Sequence, residues 1–329
     1  MNTARRIRLA LAAVLALVAT KSATPAFAQP QFNDIRPLTN REMRLQLTAP
    51  TGRGYRIDAA TNPAQWSSLV TLTGATTSLS VTDSAAPWQP ARFYRAEQVS
   101  ITNLITGDHI PTSEGDVVVH PLYHASTFLG WNGMAIYVDP DDDAAYESTY
   151  TGLPKADLIL VTHSHGDHFS SGKIEALRRT NTIIVVPAAV FASLTVAQRT
   201  NAIPLANGAA TNVLGLRVEA VPAYNGNHPV GSGNGYVITI GGRRLYFSGD
   251  TGNVPEIRAL PAIDAAFLCM NTPFTMTPNE ATNVVRAMRP RIVYPYHYRN
   301  QGGQTTNAAY FKQILGTDAG IEVRLRKWY

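Results

Sequence analysis

The chain has 329 residues, with 28 Lys or Arg against 23 Asp or Glu, and a formal net charge of +5 at pH 7. Four of those basic side chains (Arg5, Arg6, Arg8 and Lys21) and no acid fall in residues 1–28, so the remainder carries only +1 and shows no basic stripe that argues for nucleic acid. Cys269 is the only cysteine. Disulfides therefore cannot staple the fold, and stability must come from core burial, for which about 300 residues suffice as one large or two unequal domains.

Residues 1–28 read as a secretory signal peptide. Arg5, Arg6 and Arg8 form a positive start, Leu9 to Ala19 an apolar stretch, and Ala26-Phe27-Ala28 a small-residue cleavage site before Gln29. The apolar stretch is shorter than the roughly 20 residues a spanning helix needs. The expectation is an exported protein, periplasmic or secreted, with no membrane span in the mature chain.

Residues 29–100 read as a small all-β module. Residues 44–47, 54–57, 68–72 and 78–81 largely alternate apolar with polar side chains and are separated by turn-formers such as Pro50-Thr51-Gly52, while Arg92-Phe93-Tyr94-Arg95 closes the set. The stretch from Gly54 to Arg95 resembles the fibronectin-like modules appended to exported bacterial enzymes. Tyr55, Trp66, Trp88, Phe93 and Tyr94 fill a small core in one reading and form a polymer platform in another. The module is expected to be a spacer, or to bind a polymer or protein.

From residue 101 to residue 329 strands and helices alternate. Val117–Val119 and Met134–Val138 are early strands, the second ending at Asp139-Pro140, and Asp157 to Thr162 is the next. A helix follows with Ser170 or Ser171 as its cap. Ile183 to Val186 is a buried strand, and Gly235–Ile240 with Leu245–Ser248 make a hairpin around Gly241-Gly242. Thr277-Pro278-Asn279-Glu280 is a capping box with proline in the first turn, and Ala281, Val284, Val285 and Met288 share one helix face until Pro290 stops it. Arg291–Tyr296 is then a strand that ends at His297. Cys269 follows Ala265-Ala266-Phe267-Leu268 and reads as a buried strand thiol.

The densest chemistry lies in Thr162-His163-Ser164-His165-Gly166-Asp167-His168. Three of the eight histidines and a carboxylate sit on one short loop straight after the apolar run Leu158–Val161. Imidazole nitrogens and carboxylate oxygens suit zinc at roughly 2.0–2.2 Å, and such a loop can reach two ions at once. Two cations that share a water can lower its pKa from 15.7 towards about 7 and polarise the scissile bond.

This HxHxDH element, followed by His228 in Asn225-Gly226-Asn227-His228-Pro229, Asp250 in Ser248-Gly249-Asp250-Thr251-Gly252 and His297 in Tyr296-His297-Tyr298, resembles the metallo-β-lactamase superfamily. The resemblance covers most of residues 115–300. It implies an α/β fold, the αββα four-layer sandwich, with metals at the edge where two sheets meet. It also implies two zinc ions per chain, with manganese or iron as alternatives. His163, His165 and His228 would hold one ion, Asp167, His168 and His297 the other, and Asp250 would bridge them. Asp167 would also act catalytically, as a proton shuttle. The segment from His120 to Pro140 resembles the branch that includes ascorbate-6-phosphate lactonase. That likeness makes His124 a candidate beside the metal pocket and Asp139 an acceptor that orients a ligand imidazole. His109 and His120 are left unassigned.

The resemblance implies a hydrolase that uses a metal-bridging hydroxide on a small-molecule substrate, first a lactone or related ester. A phosphodiesterase, resembling the N-acylphosphatidylethanolamine phospholipase D branch, is the second reading. A β-lactamase is a third, weakened because Asp250 stands where many antibiotic-degrading members carry cysteine. Asn253 also stands where acyl-homoserine lactonases carry a tyrosine, so Tyr224 or Tyr298 takes the oxyanion role, or the substrate differs. An exported metal-binding scaffold is the reading from another class; structural zinc is usually closed by four ligands, which suits this set poorly. Pocket walls in residues 271–277 and 298–306 leave the substrate open, as is the oligomeric state.

Overall fold

The computed structural model describes residues 30–142, 149–299, 303–316 and 320–328, so the expected signal peptide lies outside the described residues. The chain divides into two compact units, at Leu104 and Ile105.

The first unit holds β1 (Gln31–Pro37), β2 (Met43–Thr48), β3 (Gly54–Asn62), β4 (Gln65–Thr73), β5 (Ser78–Asp83) and β6 (Phe93–Val99). Within it, β1-β2-β5 form one antiparallel sheet and β4-β3-β6 pair antiparallel. Leu45, Leu47, Ile57 and Tyr94 fill its core, as inward positions of alternating strands should. Tyr55 and Tyr94 are buried and their hydroxyls donate to Pro50 O and Asp83 Oδ2, so these two serve the core. Trp66, Trp88 and Phe93 stay half-buried, with the Arg95 guanidinium 4.7 Å over the Trp66 ring.

The second unit contains two mixed sheets built on one plan. The first is β7 (Gly107–Ile110), β8 (Val117–Pro121), β9 (Thr127–Trp131), β10 (Met134–Val138), β11 (Ala156–Leu160), β12 (Arg178–Val186) and β13 (Ala202–Pro204), side by side in that order. The second runs β14 (Ala210–Val213), β15 (Leu216–Ala223), β16 (Gly233–Ile240), β17 (Arg243–Phe247), β18 (Ala265–Cys269), β19 (Ile292–Tyr296) and β20 (Glu322–Val323). In each, antiparallel hairpins lead into parallel strands, β10 to β13 and β17 to β20.

Alternation of side chains explains the layers. Ile136, Val138, Leu158 and Leu160 point to a core shared with Val218, Ile238 and Leu245 of the other sheet. Their neighbours Tyr137, Ile159, Val161 and Ile184 pack instead with Ile174 and Leu177 of helix α1 (Ser171–Leu177) and Val190 of α2 (Ala188–Ser193). Such strands are covered on both faces, so they read as continuous apolar runs. Short helices α3 (Val196–Arg199) and α4 (Pro255–Arg258) precede α5 (Pro278–Met288) and α6 (Ala308–Leu315), whose Val284, Val285, Met288 and Phe311 join the core on the second sheet. The order is helix, sheet, sheet, helix.

The local expectations hold at the caps. Ser170 accepts from Lys173 N, and Thr277 with Glu280 closes both bonds of a capping box. Gly241 and Gly242 both take positive φ in the hairpin turn. Cys269 is buried in β18, and burial pushes its thiol up to about 11.

The C-terminal segment is anchored rather than trailing. Trp328 is fully buried, its ring tilted edge-on against Phe267, Tyr294 and Tyr296, and its indole N–H donates to Ser126 O at 3.2 Å. Its own carbonyl accepts from His124 N at 3.3 Å. Trp328→Ala should cost about 3–5 kcal/mol, a melting shift on the order of 10 °C; thermal unfolding measures it, and an unchanged melting temperature contradicts the anchoring role.

Candidate metal centre

The ends of the parallel strands supply the site. Asp139 follows β10, Thr162 and His163 follow β11, Asp250 follows β17 and His297 follows β19. This is the edge at which open α/β sheets commonly bind ligands. The β8–β9 and β15–β16 connections add His124 and His228.

All seven expected ligands converge, and one more residue joins them. Potential ligand atoms of His163, His165 and His228 lie within 4.8 Å of one another, as do those of His124, Asp167 and His297, and those of His163, His168 and Asp250. Asp250 sits between the groups: Oδ1 is 3.3 Å from His168 Nε2 and 3.2 Å from His297 Nε2, and Oδ2 is 3.5 Å from His228 Nε2. His168 therefore lies closer to Asp250 than to Asp167, whose Oδ2 is 4.0 Å away. His124 Nε2 is 3.0 Å from Asp167 Oδ2. His109 pairs with Asp116 and His120 with Thr106, both apart from this cluster.

Asp139 and Thr162 set the ring orientations. Thr162 N and Oγ1 donate to Asp139 at 2.6 and 2.7 Å, and His168 Nδ1 lies 2.8 Å from Asp139 Oδ2. A carboxylate only accepts, so His168 carries a proton on Nδ1 and turns Nε2 inward. Thr162 Oγ1 has spent its proton on Asp139, so it accepts from His163 Nδ1 at 3.0 Å. His163 then also presents Nε2. Asp139 thus steers two imidazoles, one of them through a hydroxyl.

The residues fit a cation. The buried atoms His163 Nε2, His168 Nε2, His297 Nε2 and Asp250 Oδ1 make no hydrogen bond of their own. Buried polar atoms rarely stay unsatisfied, and a set of imidazole nitrogens with a carboxylate oxygen is the donor set of a divalent metal. His165 is exposed and the Asp167 side chain is 40% exposed, so the cluster opens to solvent on that side.

Residues 135–298 match the beta-lactamase superfamily domain. A UPF0173 metal-dependent hydrolase of Thermococcus onnurineus is 33% identical over 176 residues, which cover 51% of this chain and 78% of that relative. The chain belongs to the UPF0173 metal-dependent hydrolase family. A solved metal-dependent hydrolase from Parabacteroides distasonis shares 36% identity with a TM-score of 0.61, covering 68% of this chain and 99% of that one. A metallo hydrolase of Ignicoccus hospitalis, at 23% identity and a TM-score of 0.55, covers 64% and 95% and shares the fold. The metallo-β-lactamase fold is therefore borne out, and the protein is a metal-dependent hydrolase. The family's name specifies no substrate.

One feature of this family member escaped the sequence. Asn225 is the hub of the third loop: its Oδ1 accepts from Asn227 N, His228 N and His228 Nδ1 at 2.7, 3.1 and 3.0 Å, while its Nδ2 donates to Asp250 O at 3.2 Å. One amide thus fixes the His228 ring with Nε2 inward and holds the Asp250 backbone. His124, expected beside the pocket, lies against Asp167 with its ring centroid 3.8 Å from that of His297. Neither tyrosine considered for an oxyanion role is directed there, because the Tyr224 hydroxyl donates to Glu256 and that of Tyr298 to Arg326 O.

Charge in the cluster is tightly balanced. Burial, with the His168 imidazole adding, holds His163 well below its usual pKa, and burial lowers His228. Burial and the neighbouring His297 push His124 down to about 4. Burial opposes a proton on His168, yet the carboxylates of Asp250, Asp139 and Asp167 overrule it and raise that imidazole well above 6.5. Burial would raise Asp250, but His297 and His168 hold it well below the carboxylate range. Asp167 is likewise depressed, against burial, by His168, His124 and His297.

Two predictions follow from this hydrolase's site. The raised His168 retains a proton at pH 7 that a bound cation must displace, so metal affinity rises with pH through that group and binding releases protons. Calorimetry in buffers of different ionisation enthalpy should show the release; heats independent of buffer contradict it. Asn225→Ala should weaken metal binding by about 10–100-fold without unfolding the chain, as read by competition with a chelator; unchanged affinity removes the positioning role.

Proposed function

We propose that the chain is an exported dinuclear-metal hydrolase acting on a lactone or related ester. The observation that carries this reading is the sharing of Asp250 between imidazoles of both halves of a cluster that opens to solvent at His165 and Asp167. A closed, fully ligated set would suit a structural ion; an open one leaves room for a substrate. His163, His165 and His228 would hold one ion, Asp167, His168 and His297, with His124 beside them, the other, and Asp250 would lie between. When bound, such a pair supplies Lewis acidity to the scissile group and lowers the pKa of water between the ions.

The chain's own residues do the rest. Asp139 and Thr162 keep His168 and His163 in the tautomers that leave Nε2 available. Asn225 does the same for His228. Asp167 sits at the solvent edge, where its carboxylate would shuttle the proton that the leaving oxygen takes up. Zinc is the metal favoured by the imidazole-rich set, with manganese or iron as alternatives. Export rests on the signal-like residues 1–28; among the described residues no helix is long and apolar enough to cross a membrane.

The test is turnover by the metal-loaded chain on paired panels of lactones and phosphodiesters, with metal content measured on the same sample. Lactone turnover that disappears on chelation and returns with metal is the expected result. Asp250→Ala should lower both metal content and turnover, the latter by more than about 100-fold. Turnover of phosphodiesters alone contradicts the ester reading, and retained activity in Asp250→Ala contradicts the shared role of that carboxylate.

A further inference from the structure

We infer that His124 is an eighth ligand of the metal centre, binding the second ion through Nε2 together with Asp167, His168 and His297. This rests on the dinuclear reading above and is independent of which substrate the centre takes.

The spacing of donor atoms carries it. Potential ligand atoms of His124, Asp167 and His297 lie within 4.8 Å of one another, the same limit that groups His163, His165 and His228. Three imidazole nitrogens stand around Asp167 Oδ2: His124 Nε2 at 3.0 Å, His297 Nε2 at 3.6 Å and His168 Nε2 at 4.0 Å. Two of them also face Asp250 Oδ1, His297 at 3.2 Å and His168 at 3.3 Å. Donor atoms that share one ion at roughly 2.0–2.2 Å stand about 2.8–3.8 Å apart for bond angles of roughly 90–120°. Four of these five separations fall in that range, and the His168–Asp167 pair lies just beyond it. His124 is therefore spaced from Asp167 as a fellow ligand would be.

The atom that His124 contacts separates a ligand from a positioning group. Asp139, Thr162 and Asn225 act on Nδ1 of His168, His163 and His228, and so leave each Nε2 to a cation. His124 does the opposite. Its Nε2 meets Oδ2 of Asp167, the oxygen that faces His168 and His297. A group that only oriented this carboxylate would hold the other oxygen and leave Oδ2 to the metal. The backbone keeps the ring there: His124 has φ +55°, its N–H donates to Trp328 O at 3.3 Å, and its carbonyl accepts from His297 N at 3.1 Å. A non-glycine residue held in that conformation points to a functional constraint. The bond to His297 also couples the two rings, whose centroids are 3.8 Å apart.

The experiment uses the full chain with nitrogen-15 histidine, loaded with cadmium-113, and reads the scalar coupling between each imidazole and the metal. Two cadmium signals are expected, with six coupled imidazoles: His163, His165 and His228 on one, and His124, His168 and His297 on the other. The count is made on the unaltered chain, so it does not depend on any variant folding. His124→Gln keeps an N–H that can donate to Asp167 but offers no imidazole. It should therefore lose the second ion by more than the roughly 10–100-fold that follows removal of an outer hydrogen-bond partner, read by competition with a chelator. Two cadmium signals with only five coupled imidazoles and His124 silent would overturn the inference and leave the dinuclear reading standing, as would His124→Gln holding both ions at the unaltered affinity. A single cadmium signal coupled to His163, His165 and His228 alone would contradict the dinuclear reading and the inference with it.

Discussion

A carboxylate buried among imidazoles governs this molecule. Asp250 is 6% exposed, with Nε2 atoms of His168 and His297 near one oxygen and that of His228 near the other. Isolated, such a charge would be far too costly to bury. The imidazoles hold it ionised, and the same electrostatics keep a proton on His168. A divalent cation answers the same requirement with more charge and better geometry. The outer groups, Asp139, Thr162 and Asn225, then serve to keep lone pairs rather than protons pointing at the centre.

The fold makes that convergence possible by repeating one plan. Each sheet passes from antiparallel hairpins to parallel strands, and the parallel ends carry Asp139, His163, Asp250 and His297. Chain reversal at these ends is tight. Asp139, His124 and His297 have φ of +48°, +55° and +46°, a left-handed conformation that costs a non-glycine residue roughly 1–2 kcal/mol. Strain at three residues of one site is tolerated because neighbours over-determine them: His297 N donates to His124 O, Met270 N to His297 O and Asp139 N to Leu160 O. Gly249 (φ +56°) cannot be another residue without a clash, since a Cβ there would meet Thr162 Cβ at 2.9 Å. The rigid core beneath is what fixes the geometry.

Much of this was legible in the sequence, for local reasons. Contiguous ligands on one loop after an apolar strand, the capping box at Thr277 and the glycine pair at 241–242 each announce themselves within a few residues. His124 was readable only as a neighbour of the pocket, because its place depends on the β8–β9 turn meeting the end of β19. Asn225 was hidden in a stretch whose glycines and asparagines read as plain loop. β1 escaped as well: its burial pattern is mostly exposed, and a strand that pairs Asp34 with Arg36 at the surface lacks an apolar rhythm. The anchoring of Trp328 beneath Ser126 is a long-range contact that no local pattern encodes.

The central claim is that one cluster holds two cations with Asp250 between them. Anomalous diffraction from crystals of the metal-loaded protein, collected on both sides of the metal absorption edge, tests it most directly. The account predicts two peaks, one bounded by His163, His165 and His228 and the other by Asp167, His168 and His297 beside His124, with Asp250 reaching both. A single peak enclosed by four protein ligands, with Asp250 turned away, would contradict it.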